Sequence, residues 1–389
     1  MIKPGKNWDI FCKIVDNYGD IGICWRLAKQ LAHEHALNVR LFIDEVSVAK
    51  KIIPDLDVDK PQQTVNRVQV VTWASIGTNQ IALDKVDVVL ETFGCELSAH
   101  YLQHLSPETV WINLEYLSAE NWVSEFHAKP SRHPTLPLTK HFFFPGFFED
   151  TGGLIREHDL ISQRDVFLAS QVLQKDYWQR VAGVEIDTSA INISLFCYPQ
   201  ATIKNLIEGL KTSDQKINLF IPIGNTVKDI SSIFVDKNLD IGDVFQQGNV
   251  TIQVLPFLSQ DDYDRLLWAC DLNFVRGEDS WIRAIWAAKP FVWQPYIQAD
   301  DAHLVKLNAF LDFYTQDLSD ETKTLINQTH LSWSGYVESN TTDNIWLRLI
   351  DQLSSIAIIN KTRADTLSAQ ADLATKLVMF SEKLQKNQV

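Results

Sequence analysis

Two clusters in the sequence combine residue types and spacing suited to a charged substrate. The first is Arg276-Gly277-Glu278-Asp279-Ser280, set between the apolar run Asp271–Val275 and a helical pattern over Trp281–Ala288. A buried strand, a tight Gly turn and a helix start capped by Asp279 or Ser280 would point backbone N–H groups at open space. That is a site for a phosphate or pyrophosphate, and Arg276 adds a fork of donors beside it. The second cluster is Asp16-Asn17-Tyr18-Gly19-Asp20-Ile21-Gly22, read as a loop at the carboxyl edge of the first strand. Open α/β sheets bind ligands at that edge. GxGxxG is absent, so this is not a dinucleotide fingerprint. Two carboxylates four residues apart suit a basic or hydroxylic acceptor better than a phosphate. The competing reading is that Asp16 and Asp20 only cap the loop and the helix after it.

Further candidates fall at the ends of other apolar runs: Phe196-Cys197-Tyr198, Phe257 with Gln260, and Tyr296. Aromatic rings there can stack on a base, and a Gln can read its edge. Any one of them alone reads better as core, and it is their joint placement that favours a site. Glu91-Thr92-Phe93 and Glu115-Tyr116 also follow apolar runs, and read either as pointing into the same cleft or as surface loops.

The elements that must position these residues alternate in type. Strands are expected at Trp8–Val15, Asn38–Ile43, Arg67–Thr72, Val86–Leu90, Val110–Leu114 and Lys140–Phe144, with a helix at Gly22–His35. A helical stretch over Leu160–Val181 leads into a second series of strands at Ile191–Phe196, Ile217–Ile221, Thr251–Leu255, Leu272–Val275 and Phe291–Trp293. Helices are expected at Ala201–Lys211, Asp261–Ala269, Trp281–Ala288 and Ala302–Asp312, and a long amphipathic one at Thr362–Lys386. Strand–helix alternation predicts parallel sheets with crossovers, hence two successive α/β domains facing across a nucleotide cleft. The expected domains are 1–183 and 184–361, with 362–389 able to pack back on the first.

The length of 389 residues also favours two domains. A net charge of −14 argues against broad nucleic-acid binding, which needs clustered Lys and Arg. Cys12, Cys24, Cys95, Cys197 and Cys270 stand singly in apolar surroundings with no CxxC, and the ten His show no metal-ligand spacing. Buried thiols in a reducing cytosol are the simplest account. No signal-peptide core or membrane-length run appears, so a cytoplasmic protein without membrane partners is expected.

At these residues the chain resembles the EarP family, the protein-arginine rhamnosyltransferases that modify elongation factor P. The resemblance runs from Ile10-Phe11-Cys12-Lys13 through the Asp16–Gly22 motif to Trp25-Arg26-Leu27-Ala28. It continues through Glu91-Thr92-Phe93, Asn113–Glu120 and Gly152-Gly153-Leu154-Ile155-Arg156-Glu157. It closes on Pro256-Phe257, Arg276–Ser280 and Lys289-Pro290-Phe291. Departures are local, at Pro199-Gln200 and Gln294-Pro295-Tyr296.

The resemblance implies a GT-B fold of two Rossmann-like domains, dTDP-β-L-rhamnose as donor and an arginine of elongation factor P as acceptor. It implies inversion at the anomeric carbon, with no cofactor and no metal. It places the base at Asp20, with Asp16 and Glu278 as further catalytic residues and Glu115 and Tyr116 on the acceptor side. It implies donor contacts at Asn17, Tyr18, Gly19, Phe196, Tyr198, Phe257, Gln260, Arg276, Gly277, Asp279, Ser280 and Tyr296. A nucleotide-sugar epimerase of the same fold, or a non-catalytic nucleotide-sensing partner of the translation factor, stand as alternatives. Only a transferase would add mass to the acceptor protein.

Overall fold

The computed structural model describes residues 5–76, 84–183, 187, 189–235, 238–337 and 344–387. The chain divides into one compact unit of 1–158 with 368–389 and a second of 159–367.

The first unit is built on eight strands. They are β1 Asn7–Cys12, β2 Asn38–Ile43, β3 Gln62–Val65, β4 Val68–Thr72, β5 Val88–Thr92, β6 Val110–Leu114, β7 Pro130–Arg132 and β8 Thr139–Phe143. They lie in the order β3-β4-β2-β1-β5-β6-β8-β7. The six inner strands pair in parallel. β5 and β6 are buried at every position, so they read as continuous apolar runs rather than alternating ones. The second unit carries β9 Ile191–Leu195, β10 Ile217–Pro222, β11 Val244–Gln247, β12 Val250–Leu255, β13 Leu272–Arg276 and β14 Phe291–Gln294, in the order β11-β12-β10-β9-β13-β14. Two successive Rossmann-like α/β units are the composition of the GT-B class.

Sequence reasoning missed β3, β7 and β11, which pair antiparallel at sheet edges. β7 is exposed throughout, and β3 and β11 are exposed at alternate positions with only Val65 buried, which leaves no apolar run to detect. Counting parallel strands alone, the sheets run 3-2-1-4-5-6 and 3-2-1-4-5. In both, the order reverses beside the first strand, between β1 and β5 and between β9 and β13. In open α/β sheets, ligands bind outside the carboxyl ends of the strands at such a reversal.

The expected boundaries at 183/184 and 361/362 differ from those of the two units, and 184–186 and 388–389 lie outside the described residues. The stretch Leu160–Val181 is two helices, Leu160–Ala169 and Gln171–Ala182, because Ser170 caps the second by accepting from the Leu173 amide. Both belong to the second unit. Arg164 Nη1 donates to the Trp286 carbonyl at 2.8 Å, and Trp178 packs on Phe220 at 4.4 Å.

The expected C-terminal helix is likewise two, Leu353–Ser368 and Leu373–Asn387. Asp372 caps the latter through the Thr375 amide and hydroxyl. That last helix completes the first unit. Leu373, Ala374 and Leu377 are buried, and Phe380 meets Phe143 at 5.4 Å. Lys376 Nζ donates to the carbonyls of Glu149 and Thr151 at 2.7 and 2.8 Å. Among the described residues no helix is long and apolar enough to cross a membrane.

One core residue of the second unit ties stability to pH. His330 is buried in the helix Asp320–Trp333, where its Nδ1 meets the Ile326 carbonyl at 2.9 Å and so carries the proton. Its Nε2 has no partner among the described residues, and burial holds the imidazole down at about 4. The unfolded chain takes up a proton near pH 6.5, so this stability is complete above about 6.5 and lost as pH falls toward about 4. Urea unfolding is expected to lose about 2 kcal/mol from this residue between about pH 7 and pH 5. The same loss in His330→Gln would show that another group titrates.

Candidate functional site

The first cluster is built where β1 leaves the sheet of the first unit. The helix after it begins at Tyr18, not at the expected Gly22, so Tyr18–Gly22 is its first turn rather than a loop. Asn17 sits at the N-cap with φ 44° and makes no side-chain capping bond. Asp20 folds back instead, and its Oδ2 accepts from the amides of Val15 and Asp16 at 2.7 and 2.8 Å. This variation on a capping box satisfies amides just ahead of the helix. Gly19 fits the same turn. Its amide donates to the Asp16 carbonyl at 2.7 Å, and a Cβ there would come within 2.9 Å of Asp16 Oδ2.

Capping therefore uses one oxygen of Asp20. The other, Oδ1, accepts from the Tyr116 hydroxyl at 3.3 Å. The side chain is only 3% exposed. Burial raises its carboxyl above the ordinary range; the amides of Asp16 and Val15 and the Tyr116 hydroxyl oppose the rise, and the Asp44 charge adds to it. The result is a carboxylate oriented by three donors and more basic than a solvated one.

Tyr116 is fixed from behind. Its ring stacks on Phe93 with centroids 4.3 Å apart and planes within 9°. Phe93 holds φ 57°, and its amide donates to the Leu114 carbonyl at 2.7 Å. The loops after β5 and β6 thus brace the Asp20 turn. Glu115 accepts from Asn113 Nδ2 through its Oε1. The reading of Glu91 as a cleft residue is corrected. It is 1% exposed and accepts from Trp111 Nε1 at 3.0 Å, the Glu96 amide at 3.1 Å and Lys140 Nζ at 3.3 Å. A carboxylate so partnered holds β5, β6 and β8 together.

A second cluster gathers in the second unit at the carboxyl ends of β9, β13 and β14. Arg276 ends β13, and its guanidinium lies over the rings of Phe196 at 4.2 Å and Tyr198 at 4.6 Å. Its Nη1 donates to the Cys197 carbonyl at 3.1 Å. Tyr296 meets Tyr198 edge-on at 5.6 Å, and Phe196 meets Tyr263 at 5.7 Å. Phe257 follows β12 and is more than a third exposed, while Gln260 opens the helix Gln260–Ala269 and is buried.

The turn after β13 differs in detail from expectation. Glu278, not Asp279 or Ser280, is the N-cap of the helix Asp279–Ala287, and it makes no side-chain capping bond. Gly277 has φ 60°, and its amide donates to the Gln294 carbonyl at 3.1 Å, so that amide serves the β13–β14 join. The Ser280 hydroxyl accepts from the Arg276 amide at 3.0 Å and donates to the Arg276 carbonyl, closing the turn.

Four residues to which sequence reasoning gave no role in the site complete this cluster. Gln294 is buried, and its Oε1 accepts from the Tyr198 amide at 2.9 Å, joining the two aromatic loops. Asp264 and Arg283 form a buried two-point ion pair at 2.9 and 2.6 Å, which locks the Asp279 helix to the Gln260 helix. Lys306 Nζ donates to Glu278 Oε1 at 2.7 Å. Gln294, Arg283 and Lys306 each interrupt an otherwise apolar run, which is the only sequence signal they give, while Asp264 stands among other acidic residues and gives none.

Among the described residues no three His, Cys, Asp or Glu side chains group to hold a metal ion. The acidic stretch Asp55–Asp59 lies in the first unit, where Asp57 pairs with Lys60 at 3.4 Å in an exposed turn.

Comparison with known proteins places these features in context. Residues 8–382 match the family described as elongation factor P (EF-P) rhamnosyltransferase EarP. A protein-arginine rhamnosyltransferase of Pseudomonas putida is 41% identical over 376 residues, covering 96% of this chain and 98% of that one. One from Shewanella oneidensis is 36% identical, covering 97% and 98%. A solved structure described as the structural basis for EarP-mediated arginine glycosylation of translation elongation factor EF-P superposes with a TM-score of 0.68 at 33% identity, covering 97% of this chain and 99% of that one.

Proposed function

Since the chain belongs to the EarP family of protein-arginine rhamnosyltransferases, we propose that it moves L-rhamnose from dTDP-β-L-rhamnose to one arginine of elongation factor P, with inversion at the anomeric carbon. The observation that carries this reading is Asp20, a buried carboxylate with one oxygen spent on two amides and the other directed to Tyr116.

A guanidinium is a poor nucleophile, because its lone pair is delocalised and its pKa exceeds about 12. No carboxylate removes its proton beforehand. Asp20 holds the guanidinium by charge-assisted hydrogen bonds and turns one nitrogen toward the anomeric carbon. As the C–N bond forms and the bond to the phosphate oxygen breaks, the nitrogen becomes acidic and its proton passes to Asp20. The raised basicity of that carboxyl favours the transfer. Asp16 shapes the acceptor pocket, with Glu115 and Tyr116 beside it, and Asn17, Tyr18 and Gly19 border the donor.

The leaving dTDP takes up negative charge, which Arg276 and the start of the Asp279 helix, with Ser280 in its first turn, offset. Gly277 supplies the sharp turn that brings this backbone close. Phe196, Tyr198, Phe257 and Tyr296 offer rings to the thymine, whose methyl favours an apolar wall, and Gln260 reads the edge of the base. Glu278 acts on the sugar hydroxyls or the phosphate geometry.

The direct test is intact-mass analysis of elongation factor P incubated with this protein and dTDP-rhamnose. A gain of one deoxyhexosyl group on a single arginine is expected. Turnover of the nucleotide sugar with no gain in protein mass would remove the acceptor from the reading. Because an Arg and a helix start can balance a diphosphate, full activity is expected in excess chelator, with no increase on adding magnesium or manganese. A rate that collapses with chelator and returns with a divalent ion would mean the leaving group is stabilised differently.

A further inference from the structure

Glu278 poses an electrostatic problem. A carboxylate one residue from a turn that receives a diphosphate would repel it across a few ångströms. The structure supplies a countercharge from an element distant in sequence. Lys306, on the helix Ala302–Thr315 after β14, reaches Glu278 Oε1 at 2.7 Å. Both side chains are about five-sixths buried, at 15% and 16% exposure, so water screens the pair little.

We propose that Lys306 is a positioning residue for the rhamnosyl donor. This rests on the function proposed above. It sets the orientation of the Glu278 carboxylate and cancels its charge, so that one group can meet the sugar while a diphosphate sits alongside. An ammonium is a point charge that fixes where the carboxylate sits and offsets its charge, which is what lets an acceptor of hydroxyl hydrogen bonds stand beside a diphosphate. The pair also anchors the N-cap of the Asp279 helix to the segment after β14. Glu278 is therefore held from two sides, by its own turn and by Lys306.

Because Lys306 acts through Glu278, its effect disappears when Glu278 carries no charge. The test is a double-mutant cycle on dTDP and dTDP-rhamnose affinity, read by calorimetry, with kcat and KM measured alongside. Lys306→Met keeps the length of the stem and removes the charge. It is expected to weaken dTDP-rhamnose binding about 10-fold, to raise KM by a similar factor and to lower kcat as well. In the Glu278→Gln background the same change is expected to alter affinity less than about 2-fold. Lys306→Arg is expected to restore most of the wild-type affinity.

Equal losses in both backgrounds would show that Lys306 meets the phosphate itself and would overturn the proposal. So would an unchanged KM and affinity in Lys306→Met. A merely structural role would instead lower the melting temperature with kcat and KM intact in the folded fraction, which also counts against it. The binding readout is independent of the acceptor, so wrong assignment of elongation factor P leaves this test standing.

Discussion

Asn in place of Asp20 is expected to cut rhamnosyl transfer about 10³-fold while leaving the fold and dTDP affinity intact. The amide oxygen can still accept from the Val15 and Asp16 amides, so the turn that opens the Tyr18–Glu34 helix survives. On the proposed function, what is lost is the charge that holds a guanidinium and the site that takes its proton. Folding is not expected to suffer. A carboxyl whose value is raised by burial binds its proton more tightly in the folded state, so its ionised form opposes folding above that value. The neutral amide is therefore expected to melt no lower than the wild type at neutral pH. For the wild type, kcat/KM is expected to rise with pH through a midpoint above the ordinary carboxylate range. Wild-type turnover in Asp20→Asn would end the assignment of Asp20 as base.

Arg276→Ala carries the second largest expected effect. A charge-assisted contact to a phosphate contributes roughly 1.5–3 kcal/mol, which corresponds to a loss of about 10- to 100-fold in affinity for dTDP. The packing raises the expected loss further, since Phe196 and Tyr198 both rest on this guanidinium and the Cys197 carbonyl accepts from it. Removing it frees both rings and, on the proposed function, takes away one phosphate donor as well. Lys at this position is expected to recover only part of the affinity, because an ammonium neither stacks as a plane nor donates as a fork. Calorimetric titration with dTDP, beside a melting curve for each variant, separates binding from folding. Unchanged affinity in Arg276→Ala would place the diphosphate elsewhere.

The inner strands were legible from their buried apolar positions. Asn38–Ile43 and Val110–Leu114 fall where the apolar runs place them. The edge strands were not legible, because Pro130–Arg132 has no buried face and exists only through its pairing with β8. The Asp16–Gly22 motif was misread as structure. Two glycines and two aspartates look like a loop, yet Tyr18–Gly22 is helical because the Asp20 side chain satisfies amides ahead of it. Glu91 shows the opposite error. A carboxylate after an apolar run reads as a site residue until Trp111 and Lys140 are seen to hold it inside. Lys306 could not be found from sequence, since nothing in the spacing links it to a residue twenty-eight positions earlier.

The last helix returning to the first unit has a consequence for how the chain is made. The second unit, 159–367, is one uninterrupted segment, whereas the first needs 368–389 to cover its core. On the ribosome, the unit begun first is therefore finished last. Its sheet can pair while the second unit is being synthesised, but the surface that buries Leu373, Ala374 and Leu377 stays open until the C-terminus emerges. A nascent chain stalled ahead of Leu373 would hold a folded second unit joined to a first unit with an uncovered flank, which makes that stage of synthesis the point most exposed to chaperones and proteases.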